Sequence, residues 1–161
     1  MQKRETHDYI VRQIILLMKD NGDAVGFIPQ AEIEKALFEG RVYHQRENGE
    51  WVGYLLRGPI KPYEPVYIYQ ECIDKEARRI GSGRKCFEQL LFDAITHDAS
   101  AIKLRCAEGL PSNWFWMAMG FKKIGEDPTP NSRNRLVYYY ERTLKPTLFE
   151  PQILEVLEEG I

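Results

Sequence analysis

The chain has 161 residues and a formal net charge of −2, with 43% hydrophobic and 29% charged residues. That is enough for one domain with a core and too few for two, and three tryptophans at this hydrophobic content argue against disorder. A pI of about 6.0 gives nucleic-acid binding no help in bulk and leaves only a local basic patch.

The start, MQKRETHDY, holds no apolar run of the signal-peptide kind. No stretch approaches the ~20 apolar residues of a membrane span. Residues 5–20 carry Ile10, Ile14, Leu17 and Met18 on one face of a helix, which Asn21-Gly22 ends. The short stretch 24–28 is the best candidate for a first strand. Pro29 precedes a second helix over 31–39, with Ile33 and Leu37 inward and Gly40 as its stop. Residues 41–47 and 50–57 form a hairpin about Asn48-Gly49, a dipeptide that suits the positive φ angles of a type I′ turn. Gly58-Pro59 breaks the pattern, and residues 61–65 make a stiff connection with two prolines.

Residues 66–73, VYIYQECI, are rich in β-branched and aromatic types and read as a buried strand. A basic turn follows, Arg78-Arg79-Ile80-Gly81-Ser82-Gly83. Then Phe87, Leu90, Leu91, Ala94 and Ile95 make one apolar helical stripe. A helix start presents unpaired N–H groups and a positive dipole end, which favour a phosphate. Gly81 and Gly83 let the backbone approach it, and Arg78, Arg79, Arg84 and Lys85 add charge. A plain strand-to-helix connection with a solvated basic edge explains the same residues equally well. Cys86 takes the place of a dinucleotide loop's third glycine, and the G-K-[ST] of a Walker loop is missing.

After that helix, Ile102, Leu104 and Cys106 alternate with Lys103 and Arg105. Strand, helix and strand make a unit with parallel strands and a right-handed crossover. Residues 110–113 lead into a short helix ending at Met119 and stopped by Gly120. Residues 121–124 and 136–142 are the last two strands, joined by a loop with two prolines. In the extension 145–161, Ile153, Val156 and Leu157 share a face; a docked tail and a homodimer contact are the alternatives. Cys72, Cys86 and Cys106 lie in apolar patterns without metal-ligand spacing. They read as reduced core thiols of a cytoplasmic protein without a metal, a reactive thiol being the alternative.

Arg78-x-x-Gly81-x-Gly83 resembles the [QR]-x-x-G-x-[GA] pyrophosphate loop of the GNAT superfamily of N-acetyltransferases. Residues 72–77 sit where that family ends a strand and enters the loop. Further on, Asn113-Trp114-Phe115-Trp116-Met117-Ala118-Met119-Gly120-Phe121 resembles its N…[FW]-Y-x-x-x-G-F signature. The resemblance covers residues 25–143 or so. It implies an α/β (α+β), three-layer, GNAT-like fold: a central mixed, mostly antiparallel, splayed sheet flanked by helices. One acyltransferase domain would fill 1–161.

The implied activity is transfer of an acetyl group from acetyl-CoA to an amine of a small molecule, peptide or protein. The resemblance places the pyrophosphate on the backbone of Ile80, Gly81, Ser82, Gly83 and Arg84, with Arg78 and Arg79 beside it. It lays the pantetheine arm along Cys72 and Ile73 and brings Asn113 to the cofactor. Asn113, or Ser112, also makes a good helix N-cap. Two departures stand out. Trp116 occupies the place of a tyrosine that can protonate the departing thiolate, and an indole N–H gives up no proton near neutral pH. Gln70 stands where family members often carry a carboxylate, with Glu71 beside it. On a regular strand these two point to opposite faces, and a bulge brings either one to the cleft. Glu71 is the candidate base and His44 the second. Among Tyr138, Tyr139 and Tyr140, either the outer pair or the middle one can replace the missing acid. Two other readings remain: a CoA-binding module without turnover, and base modification of nucleic acid of the Mom type.

Overall fold

Asn48 and Gly49 have φ of 52° and 81°, the two left-handed residues of a type I′ turn. They reverse the chain between β1 (Val42–Glu47) and β2 (Glu50–Arg57). The computed structural model describes residues 6–145. Ahead of the hairpin lie α1 (His7–Asp20) and α2 (Gln30–Phe38). After it come β3 (Pro65–Ile73), α3 (Ser82–Thr96), β4 (Ala101–Ala107), α4 (Ser112–Ala118), β5 (Lys122–Glu126) and β6 (Val137–Thr143). The strands form a six-stranded sheet in the order β1-β2-β3-β4-β6-β5. Every pairing is antiparallel except β3 with β4. This is the mixed, mostly antiparallel α+β architecture expected from the sequence.

The strand expected at residues 24–28 does not form. The N–H groups of Ala24 and Val25 bond the Asn21 carbonyl at 2.9 and 3.0 Å, closing a turn behind α1. The Gly26 carbonyl accepts the side-chain amide of Gln70. The segment's polar backbone is thus satisfied by a turn and a side chain rather than by a ladder.

The chain divides into two compact units. The first runs to Gly58 and resumes over Ile68–Leu90; the second holds Pro59–Tyr67 and the chain from Leu91 onward. In the first unit, Ile14 and Leu17 of α1 and Ile33 of α2 pack with Tyr54, Leu56 and Cys72. Strand alternation turns Leu55, Glu71 and Ile73 to the other face. The start of α3 leans on β1, where the Ser82 hydroxyl donates to Glu47 at 2.9 Å and the Cys86 thiol meets the Tyr43 carbonyl at 4.0 Å. The β2–β3 register slips once: Leu56 faces Gln70 but Arg57 faces Ile68, so Tyr69 is an extra residue on β3. This is the bulge anticipated beside Gln70.

In the second unit, β3 pairs with β4 at Pro65↔Ala101, Val66↔Ile102 and Tyr67↔Lys103 and no further. β6 runs along the whole of β4, from Ala101↔Thr143 to Ala107↔Val137. Ile102, Leu104, Cys106, Trp116, Phe121 and Tyr140 are buried there. Gly120, at φ 86°, ends α4. The terminal helix expected within 145–161 falls outside the described residues, apart from Lys145. Among the described residues, no helix is long and apolar enough to cross a membrane. Nor do three or more His, Cys, Asp or Glu side chains group to hold a metal.

Candidate functional site: the end of β3 and the start of α3

The first unit brings together the sequence-predicted residues from Gln70 to Arg84. Antiparallel ladders alternate between pairs that exchange hydrogen bonds and pairs that do not. Asp74 donates its N–H to the Val52 carbonyl at 2.7 Å. Carried back along the register, that alternation makes Cys72 exchange with Tyr54. Glu71 and Ile73 therefore turn their N–H and C=O groups to the edge away from β2. Cys72, expected to offer its backbone to a cofactor arm, commits it to the ladder instead. Its side chain is buried, and burial pushes the thiol up to about 11, with Arg78 nearby pulling the other way.

The turn into α3 hangs between two anchors. At one end, Arg78 donates from Nε to the Ile73 carbonyl at 2.9 Å and from Nη2 to Asn21 Oδ1 at 2.8 Å. At the other, buried Ser82 is held by Glu47, which Lys85 also meets at 3.0 Å. Arg79 and Gly81, between the anchors, have φ of 70° and 91°. Glycine adopts that backbone freely; arginine adopts it under strain. The first helical bond of α3 runs from the Lys85 N–H to the Gly81 carbonyl at 3.0 Å. The N–H groups of Ser82, Gly83 and Arg84 are thus without an intrahelical acceptor. Arg79 and Ile80 are exposed, and Arg84 pairs loosely with Glu88 at 3.4 Å.

Gln70 and Glu71 part as a strand dictates. Buried Gln70 accepts from the Tyr54 hydroxyl at 2.8 Å and donates to Gly26, which pins the segment behind α1 to β3. Burial raises the Tyr54 pKa, so its phenol stays a donor. Glu71 as a residue keeps partial exposure. Its Oε2 is nonetheless buried without a hydrogen-bond partner, and burial lifts its pKa well above the usual carboxylate value. His44 is half-buried, and burial lowers its pKa, which keeps the ring neutral at pH 7.

In the second unit, Asn113 lies inside α4, whose N-cap is Pro111 without a side-chain cap bond. The expected capping role is therefore not taken up. Both N–H groups of its amide are engaged, donating to the carbonyls of Ala107 at 2.8 Å and Leu110 at 2.9 Å. Its Oδ1 accepts the buried Tyr140 hydroxyl at 2.7 Å. Trp116 is buried with its ring edge-on to Phe115 and Phe121, centroids 4.8 and 5.4 Å away. Tyr138 donates to Glu108 at 3.4 Å and Tyr139 to Asp127. Burial raises the Tyr140 pKa, and the hydrogen bond to Asp127 raises that of Tyr139.

The β3–α3 stretch fits a pyrophosphate followed by an extended amide arm. It offers helix-start N–H groups without acceptors, an exposed arginine, and a Gly81 whose added Cβ would meet nothing within 4 Å. A strand edge bearing the Glu71 and Ile73 groups lies immediately upstream. Asn21 is the residue that the sequence reading missed. Nothing local signals it, because its partner lies 57 positions away.

The chain matches no family profile and no curated protein sequence. Solved structures do match. One is the ribosomal-protein-alanine N-acetyltransferase of Brucella melitensis, with TM-score 0.68 and 17% identity over 88% of this chain and 98% of that one. Ard1 of Thermoplasma volcanium gives 0.75 and 14% over 89% and 96%. An aminoglycoside 6'-N-acetyltransferase complexed with coenzyme A gives 0.70 and 12% over 91% and 96%. At these identities the likeness is one of fold, and the fold is that of the GNAT N-acetyltransferases.

Proposed function

We propose that this chain is an acyltransferase that takes an acetyl group from acetyl-CoA and delivers it to an amine of a small molecule, peptide or protein. The observation that carries the reading is the anchored turn from Arg78 to Arg84. It sets acceptor-free helix N–H groups beside the open edge of β3, in a chain with an acetyltransferase fold. Acetyl-CoA supplies the activated thioester. The N–H groups of Ser82, Gly83 and Arg84, with Arg79, hold the pyrophosphate. The Glu71 backbone groups and the Ile73 N–H pair with the pantetheine arm as an added strand would. One of their N–H groups polarises the thioester carbonyl, a contact worth about 2.7–4 kcal/mol when such donors are removed elsewhere. Asn113, with its amide donors engaged, holds the end of β4.

Glu71 is the proposed base. Of the two neighbours it alone can take a proton, and burial raises its proton affinity above that of an ordinary carboxylate. The partnerless Oε2 accepts the proton from the ammonium through a water. Gln70 holds the Gly26 segment in place. Proton donation to the thiolate falls to no side chain at Trp116, which serves as packing.

Calorimetry with coenzyme A tests the site. Gly83→Asp sets a carboxylate where the pyrophosphate charge would lie and is expected to weaken binding by about tenfold or more. Unchanged affinity would move the phosphate site elsewhere. Thiol release from acetyl-CoA against a panel of amines tests turnover. Binding without release would make the chain a coenzyme A-binding module.

A further inference from the structure

We propose that Arg78 and Asn21 form a positioning pair, through which the residue capping the end of α1 sets the affinity of the β3–α3 turn for coenzyme A. The inference rests on the coenzyme A reading above. By its place in the sequence Arg78 belongs to the phosphate-binding turn. Its guanidinium, however, is committed to protein on two sides, the Ile73 carbonyl and Asn21 Oδ1. Ile73 is the last residue of β3, and its carbonyl lies on the edge away from β2. The bond fixes where that edge stops.

Asn21 is buried and is itself held at several points. Its Nδ2 donates to the Leu17 carbonyl at 2.9 Å, and its own carbonyl takes the N–H groups of Ala24 and Val25. A rigid hub at the end of α1 therefore presents one oxygen to Arg78. Between Arg78 and the Ser82–Glu47 anchor lie the left-handed residues Arg79 and Gly81. A turn with such backbone persists only when its surroundings over-determine it. Releasing one anchor lets Arg79 leave the strained conformation and scatters the N–H groups that face the ligand. Preorganisation of this kind shows as affinity.

The pair also links two loops. Residues 21–26 are tied to β3 twice, at Asn21 through Arg78 and at Gly26 through Gln70. A change in that segment reaches the cofactor turn through the Arg78 guanidinium. A lysine, with one compact charge, cannot span both acceptors as the planar fork does.

The test is a double-mutant cycle in coenzyme A affinity, read by calorimetry, with a melting curve for each variant. Asn21→Ala and Arg78→Lys are each expected to weaken binding by about tenfold, the usual scale for a charge-assisted hydrogen bond. The double variant should bind no worse than Arg78→Lys alone. Asn21→Asp keeps an oxygen for Arg78 but loses the bond to Leu17, so it should bind like the wild type while melting lower. The proposal is overturned if Asn21→Ala melts lower yet binds coenzyme A as the wild type does. It is also overturned if Asn21→Asp loses as much affinity as Asn21→Ala, for then the cap of α1 matters and the clamp does not. Failure of the wild type to bind coenzyme A would sink the cofactor reading itself and this proposal with it.

Discussion

Gly53 of β2 faces Ile73 across the ladder, at the point where the proposed cofactor edge ends. A Cβ placed there would lie 2.7 Å from the Cys72 carbonyl oxygen and 3.0 Å from the Ile73 Cα, besides striking the Ile73 side chain. The Ile73 methyl can turn aside. The carbonyl oxygen and the Cα can move only with the strand. Gly53→Ala should therefore push β3 from β2 by several tenths of an ångström, at an overpacking cost of about 1–3 kcal/mol. For a chain of this size each kcal/mol lowers the melting temperature by about 2–4 °C, so a fall of about 2–12 °C is expected. Because the displaced residues carry the edge groups, affinity for coenzyme A should drop as well. Calorimetric melting and titration read the two effects. Gly26→Ala is the control, since a Cβ there meets nothing within 4 Å, and its melting should stay within about 0.5 kcal/mol of wild type. An unmoved melting temperature for Gly53→Ala would refute the close β2–β3 contact at Ile73.

Tyr54→Phe leaves the buried Gln70 Oε1 without its donor. It should cost about 1–3 kcal/mol in urea unfolding; an unshifted midpoint would count against that bond. Glu71 binds its proton more tightly in the folded than in the unfolded chain, because burial raises its pKa. Wild-type stability should therefore fall as pH climbs from the ordinary carboxylate range towards that raised value, and level off above it. Glu71→Gln should flatten this stretch of the melting-versus-pH curve, and equal slopes would refute the buried carboxylate. Trp116→Phe keeps most of the aromatic contact with Phe115 and Phe121. Turnover should stay within about tenfold, or ~1.4 kcal/mol of barrier. A fall of about a thousandfold, with fold and cofactor affinity intact, would make the indole N–H a catalytic donor.

What the sequence made legible is what a few neighbouring residues decide. Asn48-Gly49 carries its turn in its own φ preferences, and the apolar stripe from Phe87 to Ile95 carries its helix in its spacing. The turn with Gly81 could be located for the same reason. The atoms it uses could not, because they are set by partners far along the chain. Arg78 meets Asn21 across 57 positions and Gln70 meets Gly26 across 44. The missing first strand has the same cause. Residues 24–28 are apolar enough to pair, yet a single glutamine amide and the Asn21 carbonyl satisfy part of the backbone a ladder would need. The sense of the β3 edge was hidden in a similar way. Cys72 and Ile73 look equivalent in sequence, and only the bond from Asp74 to Val52 decides which of them faces away from β2. A motif therefore bounds where a ligand's charge can sit, while long-range hydrogen bonds decide which donors remain to meet it. In this chain they engage the Arg78 and Ser82 side chains with protein and leave the backbone N–H groups of the turn, with Arg79, as the donors open to the proposed phosphate.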